Sequence, residues 1–220
     1  MSQTQTSEQG TQDRPDGSPK QRDIAEAATR LFISQGYASV SMDAIARAAG
    51  VSKATLYAYF ASKDRLFASL VGEACSRSGF GSVELMEGEG ELRATLAALA
   101  SRTLHFLLDE TSLAIYRVVM AEAARFPELG RAFYERGAAK SRRNLALWLE
   151  RQMEAGRLRR RDPLLAAEQF TGLLRTHVHM RALLGVGPPP TEEEIEAVAA
   201  GAVETFLRAY APDPVPVSEG

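Results

Sequence analysis

Ser41 and Gly50 enclose only eight residues, 42–49, and Ser52 opens a second short run that closes at Phe60. Ser41 has an N-cap side chain, Asp43 lies in the positive first turn, and Val40 and Ile45 stand as a hydrophobic staple across the cap. Gly50 marks the end of that helix. Helices this short are marginal alone, so both must lean on neighbours. The punctuation therefore demands two short helices joined by a tight glycine turn inside a larger packed unit.

The rest of the chain supplies helical partners. Strand patterns are absent, and apolar residues recur at three- and four-residue spacing, which predicts an all-α protein. Ile24, Ala27, Ala28, Leu31 and Phe32 form one face of a first helix that Gly36 stops. Ser62 and Asp64 start a fourth helix that turns Leu66, Phe67, Leu70, Val71 and Ala74 inward. Residues 86–91, Met-Glu-Gly-Glu-Gly-Glu, read as a loop at a boundary near 80–90. Longer helices follow at about 91–109, 113–126 and 128–155, the last interrupted near Gly137. Asp162-Pro163 opens a helix to 184, and Thr191-Glu192-Glu193-Glu194 is a capping box for one through Tyr210.

The division expected is a tail over 1–19, a first unit over 20–79, a second over 80–211 and a tail over 212–220. Both tails are read as disordered, since residues 1–19 hold no large apolar side chain beyond Met1. One cysteine, Cys75, excludes an internal disulfide and fits a reducing cytoplasm. No run approaches the roughly 20 apolar residues of a membrane span. The net charge of −2 gives no general pull toward nucleic acid. Residues 20–78, however, carry eight Lys/Arg against five Asp/Glu, a local excess of the right sign.

Two short helices across a glycine turn have the arrangement of a helix-turn-helix, whose second helix enters the major groove. At about 100° per residue from Lys53, Leu56, Tyr59 and Phe60 fall on one side of helix 53–59, with Lys53, Ala54, Tyr57 and Ala58 opposite. Alanines let a backbone approach the duplex and touch thymine methyls, and Lys53 can reach guanine or phosphate. Ser52 and Thr55 sit at the helix start, where amides favour a phosphate, and Lys63 is a further phosphate ligand by position.

The run from Gly50 through Leu66, GVSKATLYAYFASKDRL, preceded by Ser41-Met42-Asp43-Ala44-Ile45-Ala46 and by Ile24 to Phe32 with Gly36-Tyr37, resembles the DNA-binding domain of the tetracycline-repressor (TetR) family. The resemblance implies a homodimeric regulator, usually a repressor, whose C-terminal helices form a ligand pocket and the dimer interface. By matching position, Lys53 and Ala54 would face bases, while Thr55, Tyr57, Tyr59 and Lys63 would hold phosphates. Tyr59 conflicts with the helical wheel, which points it inward. The segments Ala121 to Leu129, Phe133-Tyr134, Ala167 to Phe170 and Leu173-Leu174-Arg175 are similar to the AefR-like class of TetR C-terminal domains.

Helices 163–184 and 191–210, long and rich in Ala and Leu, are expected to pair with their symmetry mates as a four-helix dimer interface. Phe106, Tyr116, Met120, Trp148, Met153, Phe170 and His177 could line a small-molecule effector pocket, with core packing the simpler reading of each. His177 and His179, two apart on a helix, point about 200° from each other and do not share a metal. Arg157 to Arg161 reads as a solvated cluster following a helix end. No catalytic set, phosphate loop or metal spacing points to an enzyme, and no cofactor is expected. The competing reading is an all-helical ligand-binding or protein-interaction module that never meets DNA.

Overall fold

The computed structural model describes residues 18–77 and 91–212, which contain helices and no strand. The whole boundary near 80–90, the loop at 86–91 apart from Glu91, and nearly all of both tails lie outside the described residues. Ser18 and Pro19, expected in the first tail, instead begin α1 (Pro19–Ser39): the Ser18 side chain accepts from the Gln21 amide at 3.3 Å, and Pro19 takes the first turn.

Gly36 interrupts α1 with φ 77° and ψ 160°, a backbone region that is essentially glycine's alone. The regular helix ends there, as its sequence predicts, and one further turn carries Tyr37 inward. Then α2 (Met42–Ala48) starts on Ser41, whose side chain accepts from the Ala44 amide at 3.1 Å. Gly50, at φ 66°, closes α2: its amide reaches the Arg47 carbonyl and the Val51 amide reaches Ala46. This six-to-one and five-to-two pairing satisfies carbonyls that a helix end leaves open. Next come α3 (Lys53–Tyr59) and α4 (Lys63–Arg77).

These four helices share a core of Ile24, Phe32, Tyr37, Ile45, Leu56, Leu66 and Phe67. Burying each large side chain is worth roughly 1.5–3 kcal/mol. Phe32, Tyr37 and Phe67 meet at ring separations of 5.4–5.8 Å, and Phe126 joins Tyr37 edge-on at 5.4 Å. Phe126 lies between α6 (Glu110–Glu122) and α7 (Pro127–Phe133), so the first core continues into the second half of the chain, where Val118, Val119 and Leu129 complete it.

The second core is built by α5 (Leu92–Leu108), α8 (Ala139–Glu154), α9 (Pro163–Leu174) and α11 (Glu192–Tyr210). Leu96, Leu104, Trp148, Leu149, Phe170 and Phe206 fill it. Asp109 caps α6 by accepting from the Ser112 amide at 3.0 Å, so this helix starts three residues before the expected 113. The interruption near Gly137 is a π-turn, Tyr134–Ala138, that joins α7 to α8. The Thr191 capping box forms as read, with Glu194 returning to the Thr191 amide at 2.9 Å.

One expected helix is two. The run 163–184 breaks after Leu174: Arg175 leaves helical geometry at φ −89° and ψ 62°, and Thr176 caps a new helix, α10 (His177–Leu184), by accepting from the Val178 amide. A threonine hydroxyl can replace a backbone acceptor for a nearby amide, which favours a new start over continuation. Arg117 of α6 donates to the Leu183 and Ala182 carbonyls at the end of α10, at 2.7 and 2.8 Å, and Arg181 forms a two-pronged pair with Glu194 of α11 at 2.9 Å. Those ties fix the direction of α10 away from α9. No described helix is long and apolar enough to cross a membrane.

Candidate nucleic-acid interface and effector cavity

Helix α3 is anchored by very little of itself. Leu56 is fully buried, Phe60 follows it inward at the C-cap, and Ser52, Lys53, Ala54, Tyr57, Ala58 and Tyr59 are all exposed, with Thr55 half-buried. The inward assignment of Tyr59 is thereby corrected. It is 39% exposed beside Tyr57 at 43%, and the Ser18 hydroxyl donates to its phenol oxygen at 2.8 Å. A seven-residue helix that buries one side chain turns most of its circumference outward, so aromatic character alone does not place a residue inside.

The polar groups on this surface are ordered locally. Ser52 accepts from the Thr55 amide at 3.0 Å, and the two hydroxyls lie 2.8 Å apart. Lys53 pairs with Asp43 of α2 at 2.9 Å, both well exposed, and that hydrogen bond holds the Lys53 ammonium above its ordinary pKa. Lys53 therefore stays charged, on a partner that an incoming nucleic-acid acceptor can replace.

Lys63 is placed differently from its sequence reading. Its ammonium donates to the Tyr37 and Val40 carbonyls at 2.8 and 2.9 Å and sits 4.2 Å over the Tyr37 ring. Burial lowers its pKa, opposed by Glu122 and Glu128. Two of three donors are thus engaged inside the protein, in the gap that the Gly36 break opens between α1 and α2. Burial, with Asp64 and Glu128 adding to it, pushes the Tyr37 phenol up to about 12.

A cavity of about 860 Å³ lies where α1 and α4 meet α5, α6, the π-turn and α10. Its walls are apolar and aromatic, with Phe67, Leu70, Ile115 and Phe133 among them, and hydroxyls come from Thr29, Thr111, Ser112 and Tyr116. Four arginines and three carboxylates also reach it. Of the residues read from sequence as pocket-lining, Phe106 and Tyr116 line it. Trp148, Met153 and Phe170 instead belong to the second core, where volume is needed between α8, α9 and α11. Met120 is 67% exposed on the outer face of α6, and His177 is exposed at the first turn of α10.

Sequence reasoning missed His179. It is buried, lines the cavity and meets Tyr116 edge-to-face, with ring centroids 6.2 Å apart, while Phe133 meets the same tyrosine at 5.7 Å. The signal was Thr176: once a new helix starts there, α10 turns independently of α9. In the basic run, Arg157 bonds the Gln152 side chain at 2.7 Å and the Arg159 amide bonds the Tyr210 carbonyl at 2.9 Å, so the segment is fastened between α8 and α11.

Residues 24–70 match the sequence model of the bacterial regulatory proteins of the tetR family, and residues 94–212 match the AefR-like transcriptional repressor C-terminal domain. A solved TetR-family transcriptional regulator from Mesorhizobium loti MAFF303099 is 35% identical with a TM-score of 0.75, over 87% of this chain and 96% of that one. The flavonoid-responsive regulator FrrA is 40% identical with a TM-score of 0.70, over 88% and 97%. Among curated relatives, the transcriptional regulator EthR of Mycolicibacterium smegmatis is 36% identical over 91 residues, 40% of this chain; the match spans less than half of that relative, 42%. With both halves matched in order and almost the whole fold shared with solved regulators, this chain belongs to the TetR family of DNA-binding transcriptional regulators.

Proposed function

We propose that the protein is a ligand-responsive repressor that binds a palindromic operator as a dimer, with residues 20–79 as the DNA-binding unit and 80–211 as the regulatory and dimerising unit. The observation that carries this reading is the outward face of α3. Lys53, Ala54 and Tyr57 are exposed with no packing duty, while Leu56 and Phe60 alone anchor the helix. In this reading Lys53 and Ala54 meet base edges, and Ser52, Thr55, Tyr57 and Tyr59 meet phosphates.

The dimer contact runs along the expected segments 163–184 and 191–210, now α9, α10 and α11. Leu164 and Leu165 are exposed on α9, and Ala197, Ala200, Gly201 and Thr205 are exposed on α11, small enough for close helix approach. Two α3 helices must then reach successive major grooves, about 34–36 Å apart. FrrA is described as flavonoid-responsive. The aromatic walls and hydroxyls of the cavity here suit a flat hydroxylated aromatic effector of that kind. Thr29 of α1 and Phe67 and Leu70 of α4 are part of the lining, so an occupant touches the helices that carry α3. Such an effector releases DNA only in proportion to its preference for the DNA-free state.

A salt-dependent gel shift on the DNA upstream of the protein's own gene tests the interface. Lys53→Ala and Tyr57→Ala should each weaken binding about tenfold, as expected for losses of about 1–3 kcal/mol. If both bind as the parent does, the α3 assignment fails. Gly201→Arg tests the dimer: a Cβ there meets nothing within 4 Å, so the protomer tolerates it. Light scattering should report a dimer for the parent and a monomer for the variant, with operator binding lost; a monomeric parent that fully occupies a palindrome refutes the proposal.

A further inference from the structure

His179 is a largely buried histidine whose ring opens onto the cavity. It is 7% exposed, and among the described residues neither ring nitrogen has a hydrogen-bond partner, although the ring lines the cavity. His105, the other histidine at this cavity, is satisfied: Nδ1 meets the Ser101 carbonyl at 2.8 Å, and Nε2 meets Glu192 at 3.2 Å. A ring that faces a cavity with no protein partner keeps its donor and acceptor free for a molecule that enters there.

The surroundings narrow the partner. Burial, and then the charge of Arg175, lower the His179 pKa, so the neutral ring offers one N–H and one lone pair. Arg175, freed from helical geometry at the α9–α10 break, lines the same cavity and has no ion-pair partner among the described residues. The Tyr116 hydroxyl is likewise unbonded among the described residues, and its ring stands between His179 and Phe133. A fixed cation, a neutral donor and a phenol thus accompany aromatic walls.

We propose that His179, together with Arg175 and Tyr116, is the specificity-determining end of the effector site and takes the acidic oxygen of a flat aromatic effector, a phenolate or a carboxylate. This rests on the reading of the cavity as the effector site. An arginine guanidinium and an imidazole N–H both donate to such an oxygen, and charge-assisted bonds are the stronger kind. A ligand in which a methyl ether replaces the acidic hydroxyl cannot supply that charge, leaving the same donors unpaired.

Isothermal calorimetry on the full chain decides this with 7-hydroxyflavone, 7-methoxyflavone and 4-hydroxycinnamate as probes. The parent should bind 7-hydroxyflavone at least tenfold more tightly than its methyl ether if the oxygen is a phenolate, or 4-hydroxycinnamate at least tenfold more tightly than either if it is a carboxylate. His179→Leu should remove that preference, and His179→Gln, which keeps a donor and an acceptor, should retain part of it. The ligand-free His179→Leu protein should melt within about 2 °C of the parent, because a leucine of similar volume continues the apolar wall. A residue present only for packing would not lose discrimination in His179→Leu at unchanged stability while His179→Gln keeps part of it. Equal binding of all three probes by the parent, or unchanged preference in His179→Leu, overturns the assignment and leaves the cavity as the effector site. Binding of none of the three overturns the aromatic-effector reading together with this one.

Discussion

Gly36→Ala should lower the melting temperature by about 6–12 °C, a loss of about 3 kcal/mol for a chain of this size. Two effects combine. At φ 77° and ψ 160° an alanine is held in a region that costs of order 1–3 kcal/mol. Its Cβ would also stand 3.3 Å from Glu122 Oε1, the oxygen that accepts from the Ala38 amide at 3.4 Å. The carboxylate must move, and its bond to the Ala38 amide, already long at 3.4 Å, weakens further. Gly50→Ala is the internal comparison: φ is again positive, at 66°, but nothing lies within 4 Å of the new methyl, so a loss of about 1 kcal/mol is expected. Calorimetric melting that finds the two variants equal would refute the role assigned to the Gly36–Glu122 contact.

Lys63→Met should reduce operator affinity more than tenfold while leaving the salt dependence of binding unchanged. The substitution keeps the aliphatic stem and removes two charge-assisted bonds, to the Tyr37 and Val40 carbonyls, each worth about 1.5–3 kcal/mol. Those carbonyls flank the N-terminus of α2, so their release loosens the helix against which α3 is set. Lys53→Ala should behave oppositely in one respect: an exposed cation lost from the face of α3 removes a positive charge held against the duplex, so fewer counterions are released on binding and the salt slope flattens. Parallel titrations over salt distinguish the two lysines. A slope that falls by about one in Lys63→Met would return that residue to the phosphate role that its sequence position suggests.

How much of this was legible depended on how local each signal is. The α2–α3 pair and the start of α11 were readable because Ser41, Gly50, Ser52 and Thr191 act on amides and carbonyls within a few residues of themselves. The break before α10 was not, because apolar spacing runs unbroken from α9 through Leu174 to Val178, and a capping threonine looks like any threonine until its hydroxyl is seen to accept from Val178. For Tyr59 the helical wheel pointed inward against its DNA-facing position in the motif, because its partner, Ser18, lies 41 residues away and a wheel carries no information about it. Little of the cavity was legible: Phe106 and Tyr116 line it, but Trp148, Met153 and Phe170 have the same chemistry and fill the second core. A cavity is defined by side chains that fail to meet, which no single side chain announces.

The burial of Trp148 has a practical bearing on how this regulator can be watched. It is the chain's single tryptophan, and it packs within the core of α5, α8, α9 and α11 rather than on the cavity wall. Its intrinsic fluorescence should shift to the red when that core opens, giving an optical record of unfolding from one defined place. The same emission should stay nearly silent when a small molecule enters beside Tyr116, so a tryptophan moved to the cavity rim would serve as the optical sensor of occupancy that nature did not put there.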